Sequence, residues 1–153
     1  MLFVTVALIM LFGFRKNTDR VVGGLLISPP EGFELKSSDT RNAVWTYTGK
    51  EKKPGRLILD EEIRGDQGQY FATADQVLNE AYWLEKAELY VNPQGIRTVR
   101  GFCSEFSDYP ERRYYVECGK AVFLLCMIED SRYYDPADCE EAMKQTVDSI
   151  RRK

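Results

Sequence analysis

The chain has 153 residues, of which 44% are hydrophobic and 29% are charged, and its formal net charge is -3. This composition is that of an ordinary globular protein, and the length suits one domain. The 21 basic residues are interspersed with 24 acidic ones, which argues against a nucleic acid as partner. The chain has no histidine, so serine triads and histidine-paired cysteine nucleophiles are excluded in their usual forms.

An apolar segment without charges covers residues 2–14 and is followed by Arg15 and Lys16. We predict that residues 1–20 form a membrane anchor or signal segment with a basic flank, through which the chain associates with a membrane. A helix of residues 2–14 spans only roughly 20 Å, short of the roughly 30 Å hydrocarbon core, yet no small-residue cleavage site follows. An anchor, a signal peptide, an upstream start and a core element therefore all stay open.

The side of the membrane is equally open. The basic flank favours a cytoplasmic location of the folded part by the positive-inside rule. An upstream start that adds basic residues would instead allow an extracytoplasmic or secreted domain. We therefore expect a membrane-associated or secreted protein.

Residues 21–153 are predicted to form a single domain that begins with β-structure. The run 21–27 contains paired glycines and precedes Pro29 and Pro30, which indicates a connector that enters a first strand. Three strands of a β-meander are then predicted from alternating apolar residues, and they cover 33–35, 43–48 and 56–63.

A helix is predicted to begin at Thr73, because Thr73 and Gln76 have the spacing of a capping box. Its apolar stripe should reach from Val77 through Leu84 and end at Glu88. The turn at 92–95 contains proline and glycine and should join two strands.

The run 121–128 (AVFLLCMI) is apolar throughout and predicts a central strand that is covered on both faces, next to a strand at 113–117. A final helix is predicted from Asp135 as N-cap and Pro136 at the first helical position. The basic residues 151–153 would complement the negative end of its dipole.

These elements predict an α+β fold. We expect an antiparallel β-sheet of about six to seven strands with two main helices packed against it, behind the N-terminal hydrophobic segment.

The chain resembles the PsbP-like family over roughly residues 28–151. The resemblance is carried by the entry Pro30-Glu31-Gly32-Phe33, by the W-x-Y motif at 45–47, by the middle helix and late hairpins, and by the closing 147–150. That family includes the oxygen-evolving accessory protein of photosystem II, a Ran-binding nuclear transport factor and small bacterial membrane-associated proteins. The resemblance implies an accessory or binding protein rather than an enzyme, and supplies no functional residues.

Four cysteines form the most conspicuous set of reactive side chains: Cys103, Cys118, Cys126 and Cys139. Their spacing contains no C-x-x-C pair, which argues against a zinc ribbon or a thioredoxin-like site. One interpretation is reduced thiols in the core, since three of them lie on or next to apolar faces. The other is two disulfides, with Cys126 paired to Cys139 and Cys103 to Cys118. A catalytic or metal-binding cysteine is a third, less favoured interpretation.

Two further groups of side chains are candidates for function. Arg132, Tyr133 and Tyr134 precede the last helix and could form an interaction rim, or the tyrosines could cover a sheet edge. The acidic runs 60–62 and 140–141 could supply paired carboxylates for a hydrolase, or be solvated surface.

We therefore predict a membrane-tethered, non-catalytic accessory or binding protein that engages a membrane protein complex and has no cofactor, metal site or catalytic residues. The alternatives are a small hydrolase that uses carboxylate or cysteine chemistry, and a structural component of an envelope assembly.

Overall fold

The computed structural model describes residues 19–48, 56–60, 70–104, 111–128 and 135–153. These residues form two helices, α1 (Ala74–Glu80) and α2 (Pro136–Ser149). They also form ten strands: β1 (Arg20–Val22), β2 (Leu25–Ile27), β3 (Phe33–Ser38), β4 (Ala43–Tyr47), β5 (Arg56–Asp60), β6 (Glu85–Val91), β7 (Arg97–Cys103), β8 (Glu111–Cys118), β9 (Ala121–Ile128) and β10 (Arg151–Arg152).

The larger sheet has seven antiparallel strands in the order β3-β4-β5-β9-β8-β7-β6. β9 is the central strand, and its residues from Val122 to Met127 are all buried, which confirms the prediction from its apolar sequence. Its side chains alternate between two cores, because successive residues of a strand point to opposite faces. Leu124 and Cys126 belong to one core, and Phe123 and Leu125 belong to the other.

The smaller sheet has the order β1-β2-β10. The paired glycines that we interpreted as a connector are instead a hairpin turn, with φ of 57° at Gly23 and 80° at Gly24. Two consecutive residues with positive φ are the signature of a two-residue β-hairpin turn, and glycine adopts that conformation without strain. The basic residues Arg151 and Arg152 do not extend the last helix but form β10, which pairs with Leu26 and Leu25 of β2.

Each face of the larger sheet carries one helix. The α1 face buries Val77 and Ala81 against the sheet in a core that includes Val99 and Tyr115. The α2 face is larger, and α2 and the smaller sheet share this core with the buried Trp45. The apolar residues of α2 and its C-cap that were predicted to face the core are all buried there: Cys139, Met143, Val147 and Ile150.

Helix α1 is shorter than its apolar stripe predicted. Thr73 is the N-cap and accepts a hydrogen bond from the backbone N–H of Gln76, as predicted, but the helix ends at Glu80. Leu84 is buried because the chain crosses close over β7 at that point, and a Cβ at Gly101 would lie 2.7 Å from the Glu85 carbonyl oxygen. Leu78, predicted to be in the stripe, is 40% exposed.

The predicted fold class is wrong. The described residues form ten strands and only two helices, which makes this a mainly β fold rather than an α+β sheet with two main helices. The difference has two physical sources, namely that α1 has only two turns and that the glycine hairpin and chain end form a second sheet. Neither described helix has the length and apolar character that crossing a bilayer requires. The predicted membrane segment 2–14 lies outside the described residues.

A tyrosine of β6 is hydrogen-bonded to the end of α2. The Tyr90 hydroxyl donates to Asp148 of α2, and this hydrogen bond together with partial burial raises the pKa of Tyr90 from 10.0 to about 12. A group whose pKa is raised by folding contributes its full stabilisation below its unfolded-state pKa. This contribution is lost as the pH rises through its folded-state pKa.

We therefore expect that replacing Tyr90 with Phe flattens the loss of stability between pH 10 and pH 12. Urea unfolding across this range measures it, and Tyr82→Phe serves as control because Tyr82 is 71% exposed. An unchanged slope in the Tyr90 variant would show that the Tyr90–Asp148 bond is not formed in solution.

Candidate functional site

The residues predicted as an interaction rim, Arg132, Tyr133 and Tyr134, lie outside the described residues. They stay a prediction. The site that can be built from described residues lies elsewhere, on the α1 face and the β6 edge of the larger sheet.

The four cysteines are thiols rather than disulfides, and Cys103, Cys126 and Cys139 are buried. Cys103 and Cys126 belong to the α1 core, whereas Cys139 belongs to the α2 core and Cys118 packs against it. Each disulfide that we considered would therefore join opposite faces of the sheet, and neither is formed. Burial raises the pKa of the Cys118 thiol, while Arg152 acts in the opposite direction.

A polar cluster lies within the α1 face. Arg113 donates to the Glu111 carboxylate at 2.9 Å from Nε and 2.7 Å from Nη2, and both side chains are 14% exposed. The Tyr115 hydroxyl accepts from Trp83 Nε1 at 2.9 Å and from Arg113 Nη1 at 3.4 Å. The Cys126 thiol donates to Glu111 at 3.6 Å.

The polar cluster is electrically neutral, because its one cation is held by its one carboxylate. Burial opposes the charge of Arg113, but the hydrogen bonds to Tyr115 and Glu111 raise its pKa above the ordinary value. Burial also opposes ionisation of the Tyr115 hydroxyl, and it therefore raises the pKa of Tyr115. The Glu111 carboxylate is already occupied by the Arg113 guanidinium, so the arrangement favours a structural role over acid/base chemistry.

Of the two acidic runs that could have served a hydrolase, only 140–141 lies among the described side chains. Glu140 and Glu141 lie on exposed turns of α2, where Glu140 pairs with Arg112 at 3.6 Å and Glu141 accepts from Gln145 at 2.7 Å. The side chains of 60–62 lie outside what the structure describes. Within the described ranges, no group of three or more cysteine and acidic side chains is placed to hold a metal ion.

The exposed edge of β6 is the feature best suited to binding. β6 is the last strand of the larger sheet, and within the described residues no strand pairs with its outer edge. Its first half is protected by charged residues and by a bulge, at which Lys86 has φ of 52° and the register shifts between Glu85 and Glu88. Such features are common on edges that proteins keep from pairing.

The second half of β6 lacks this protection. The backbone N–H of Asn92 donates to the Ile96 carbonyl across the turn, at 3.0 Å. Because antiparallel pairs alternate between bonded and non-bonded, the N–H and C=O groups of Val91 and Leu89 point away from β7. Four backbone groups are therefore presented at the open edge.

The side chains of these residues add an apolar surface. Leu89 is 44% exposed and Val91 is 52% exposed. Leu89 lies opposite Val99 of the α1 core, so both apolar side chains face the side on which α1 packs.

Charged pairs flank this edge on both faces. On the α1 face, Arg97 bonds Asp75 at 2.6 Å. On the other face, Arg100 bonds Glu88 at 2.6 Å and lies over the Tyr90 ring. We call Leu89, Val91 and their outward backbone groups the β6 edge site.

The β6 edge site was not predicted from the sequence. A strand was predicted at this place, but its edge position depends on which strands pair across the whole chain. The exposed apolar residues Leu89 and Val91 at alternate positions resemble those of any half-buried strand.

No family model matches the chain, and no curated protein matches it. Among solved structures, an uncharacterised protein of Bacteroides thetaiotaomicron VPI-5482 is similar in fold, with a TM-score of 0.58 and 8% sequence identity. The match covers 85% of this chain and 45% of that protein, so the chain spans less than half of its length. At this identity the likeness shows a shared fold alone.

Proposed function

We propose that the chain is a membrane-tethered, non-catalytic accessory module that binds a partner protein at the β6 edge site. The proposal is carried by two features of Leu89 and Val91: no described strand pairs with their outward backbone groups, and their apolar side chains are exposed. The PsbP-like resemblance implies the same class of function, and the apolar segment 2–14 supplies the tether.

The chemistry of the edge site favours an extended segment of the partner. An added strand would bond the outward groups of Leu89 and Val91, and alternate side chains of that strand would cover the apolar surface. Main-chain bonds of this kind supply affinity, and the side-chain contacts supply selectivity. The flanking pairs Asp75–Arg97 and Glu88–Arg100 would form a polar rim.

A binding role also fits the polar groups of the molecule better than a hydrolase does. The Glu111 carboxylate is committed to Arg113, and the Cys126 thiol beside it is only 6% exposed. A nucleophile needs both access and an activating base.

The proposal is tested by placing a photoreactive benzophenone amino acid at position 89 of the full chain in its native cells. We expect a discrete cross-linked species from position 89, because a bound strand would contact this side chain. Lys36 provides the matched control, since it is an exposed residue of β3, the opposite edge strand.

The comparison distinguishes a specific binding site from non-specific cross-linking. A species formed from position 89 but not from position 36, and removed when Val91 is replaced with Lys, supports the proposal. Equal cross-linking from both edges, or none from position 89, contradicts it.

A further inference from the structure

A second surface, at the smaller sheet, is basic. Arg151 and Arg152 form β10, and the backbone N–H of Lys153 donates to the Gly24 carbonyl in the hairpin turn at 3.0 Å. These three residues are exposed.

The turn between β8 and β9 adds Lys120 to this surface. The Cys118 thiol donates to the Gly23 carbonyl at 3.7 Å, which places the β8–β9 turn against the glycine hairpin. Lys120 follows in that turn and is exposed. We call Lys120 and 151–153 the basic end of the domain.

The charges of the basic end differ from those of the larger sheet. Each arginine of β7 and β8 lies within 4 Å of a carboxylate: Arg97, Arg100, Arg112 and Arg113. Within the described part of the chain, no ion pair involves a residue of the basic end. Four exposed positive charges therefore lie along the β10 edge of the smaller sheet and in the adjoining β8–β9 turn, on a chain whose net charge is -3.

The basic end lies near the point where the chain leaves the apolar segment, so a membrane surface is a candidate partner for its charges. β1 begins at Arg20, and residues 15–19 separate it from the end of the apolar run at Phe14. A fully extended link of that length spans at most about 20 Å. β1 pairs with β2, and β2 pairs with β10, so a membrane that holds residues 2–14 would lie close to the basic end.

We infer that the basic end docks on anionic lipid headgroups at the membrane surface and so orients the tethered domain. The inference rests on the proposed tether. Basic residues next to a membrane segment are attracted by the negative surface potential, and each strengthens partitioning about fivefold. Three such residues together account for about a hundredfold.

The test uses the full chain with Leu8→Gln and Leu11→Gln, two neutral changes that weaken insertion of the apolar segment and isolate surface binding. Its partitioning onto phosphatidylcholine vesicles is compared with that onto vesicles containing about 30% phosphatidylglycerol. We expect binding to the anionic vesicles alone, and a steep weakening as salt rises.

Charge reversal locates the contact. We expect Arg151→Glu, Arg152→Glu and Lys153→Glu together to lower partitioning about a hundredfold or more. The matched control reverses three exposed lysines elsewhere, Lys36, Lys86 and Lys144, and gives the same net charge. It should retain binding within a few fold. If charge reversal disturbs folding, Gln replaces the three residues 151–153 instead, and circular dichroism checks that this variant is folded. We expect it too to bind anionic vesicles more weakly than the control.

Three outcomes overturn the inference. The first is undiminished binding by the variants at 151–153, and the second is an equal loss in the control, which would reflect net charge alone. The third is preference for a single-stranded RNA probe over anionic vesicles. None of these outcomes affects cross-linking from position 89 or membrane extraction of the unaltered chain. The proposed function is therefore tested independently of this inference.

Discussion

Replacing Asn92 with Ala is expected to destabilise the domain by about 3–5 kcal/mol, because one buried side chain satisfies four backbone groups. Its Nδ2 donates to the carbonyls of Val147 and Ile150 at the end of α2, at 2.9 Å each. Its Oδ1 accepts from the N–H groups of Gln94 and Ile96 in the β6–β7 turn, at 3.0 and 2.8 Å. The variant leaves two helix carbonyls and two turn amides without these partners.

Thermal unfolding measures the effect, and a fall in Tm of about 10 °C or more is expected. Asn79→Ala is the matched control, since Asn79 is exposed on α1 and alanine favours helix. A loss below about 1 kcal/mol in the Asn92 variant would mean that the turn and α2 are not tied together.

The second large effect is expected at the polar cluster. Replacing Arg113 with Met leaves the mostly buried Glu111 carboxylate without its cation, which should cost about 3–5 kcal/mol. The corresponding change at an exposed pair, Lys36→Met beside Glu34, should cost about 1 kcal/mol or less. Chemical denaturation of both variants gives the comparison.

A double variant then tests the structural role of the cluster. Replacing Arg113 with Met and Glu111 with Leu removes both charges, and should recover most of the lost stability, because apolar residues often substitute for a buried ion pair. If the double variant folds stably but loses partner binding that Lys36→Met retains, the polar cluster has a functional role and not only a structural one.

Local signals predicted much of the secondary structure. Thr73 and Asp135 have short polar side chains that cap free N–H groups, and each begins a helix where expected. The run 121–128 is apolar on both faces because the strand lies between two cores.

The glycine hairpin and the end of α1 were predicted wrongly, because the same residues are compatible with two local structures. Gly23 and Gly24 suit a flexible connector as well as a hairpin turn, and only the pairing of β1 with β2 decides between them. Leu84 fits a helical stripe, yet it is buried where the chain crosses Gly101. The second sheet and the short α1 follow from these two local ambiguities, and together they change the fold class.

The candidate site depended on long-range pairing and could not be predicted. β5 pairs with β9, so the order of strands is not the order of the chain, and nothing within β6 indicates that it lies at the edge. The faces on which the cysteines lie could not be predicted either, because strand register sets them for Cys103, Cys118 and Cys126 and the packing of α2 sets it for Cys139.

Alkaline carbonate extraction of native membranes most directly tests whether a membrane tether carries this domain. We expect the full chain to stay in the membrane pellet, and the double variant Leu8→Gln, Leu11→Gln to move to the supernatant. Release of the unaltered chain by carbonate would contradict the tether.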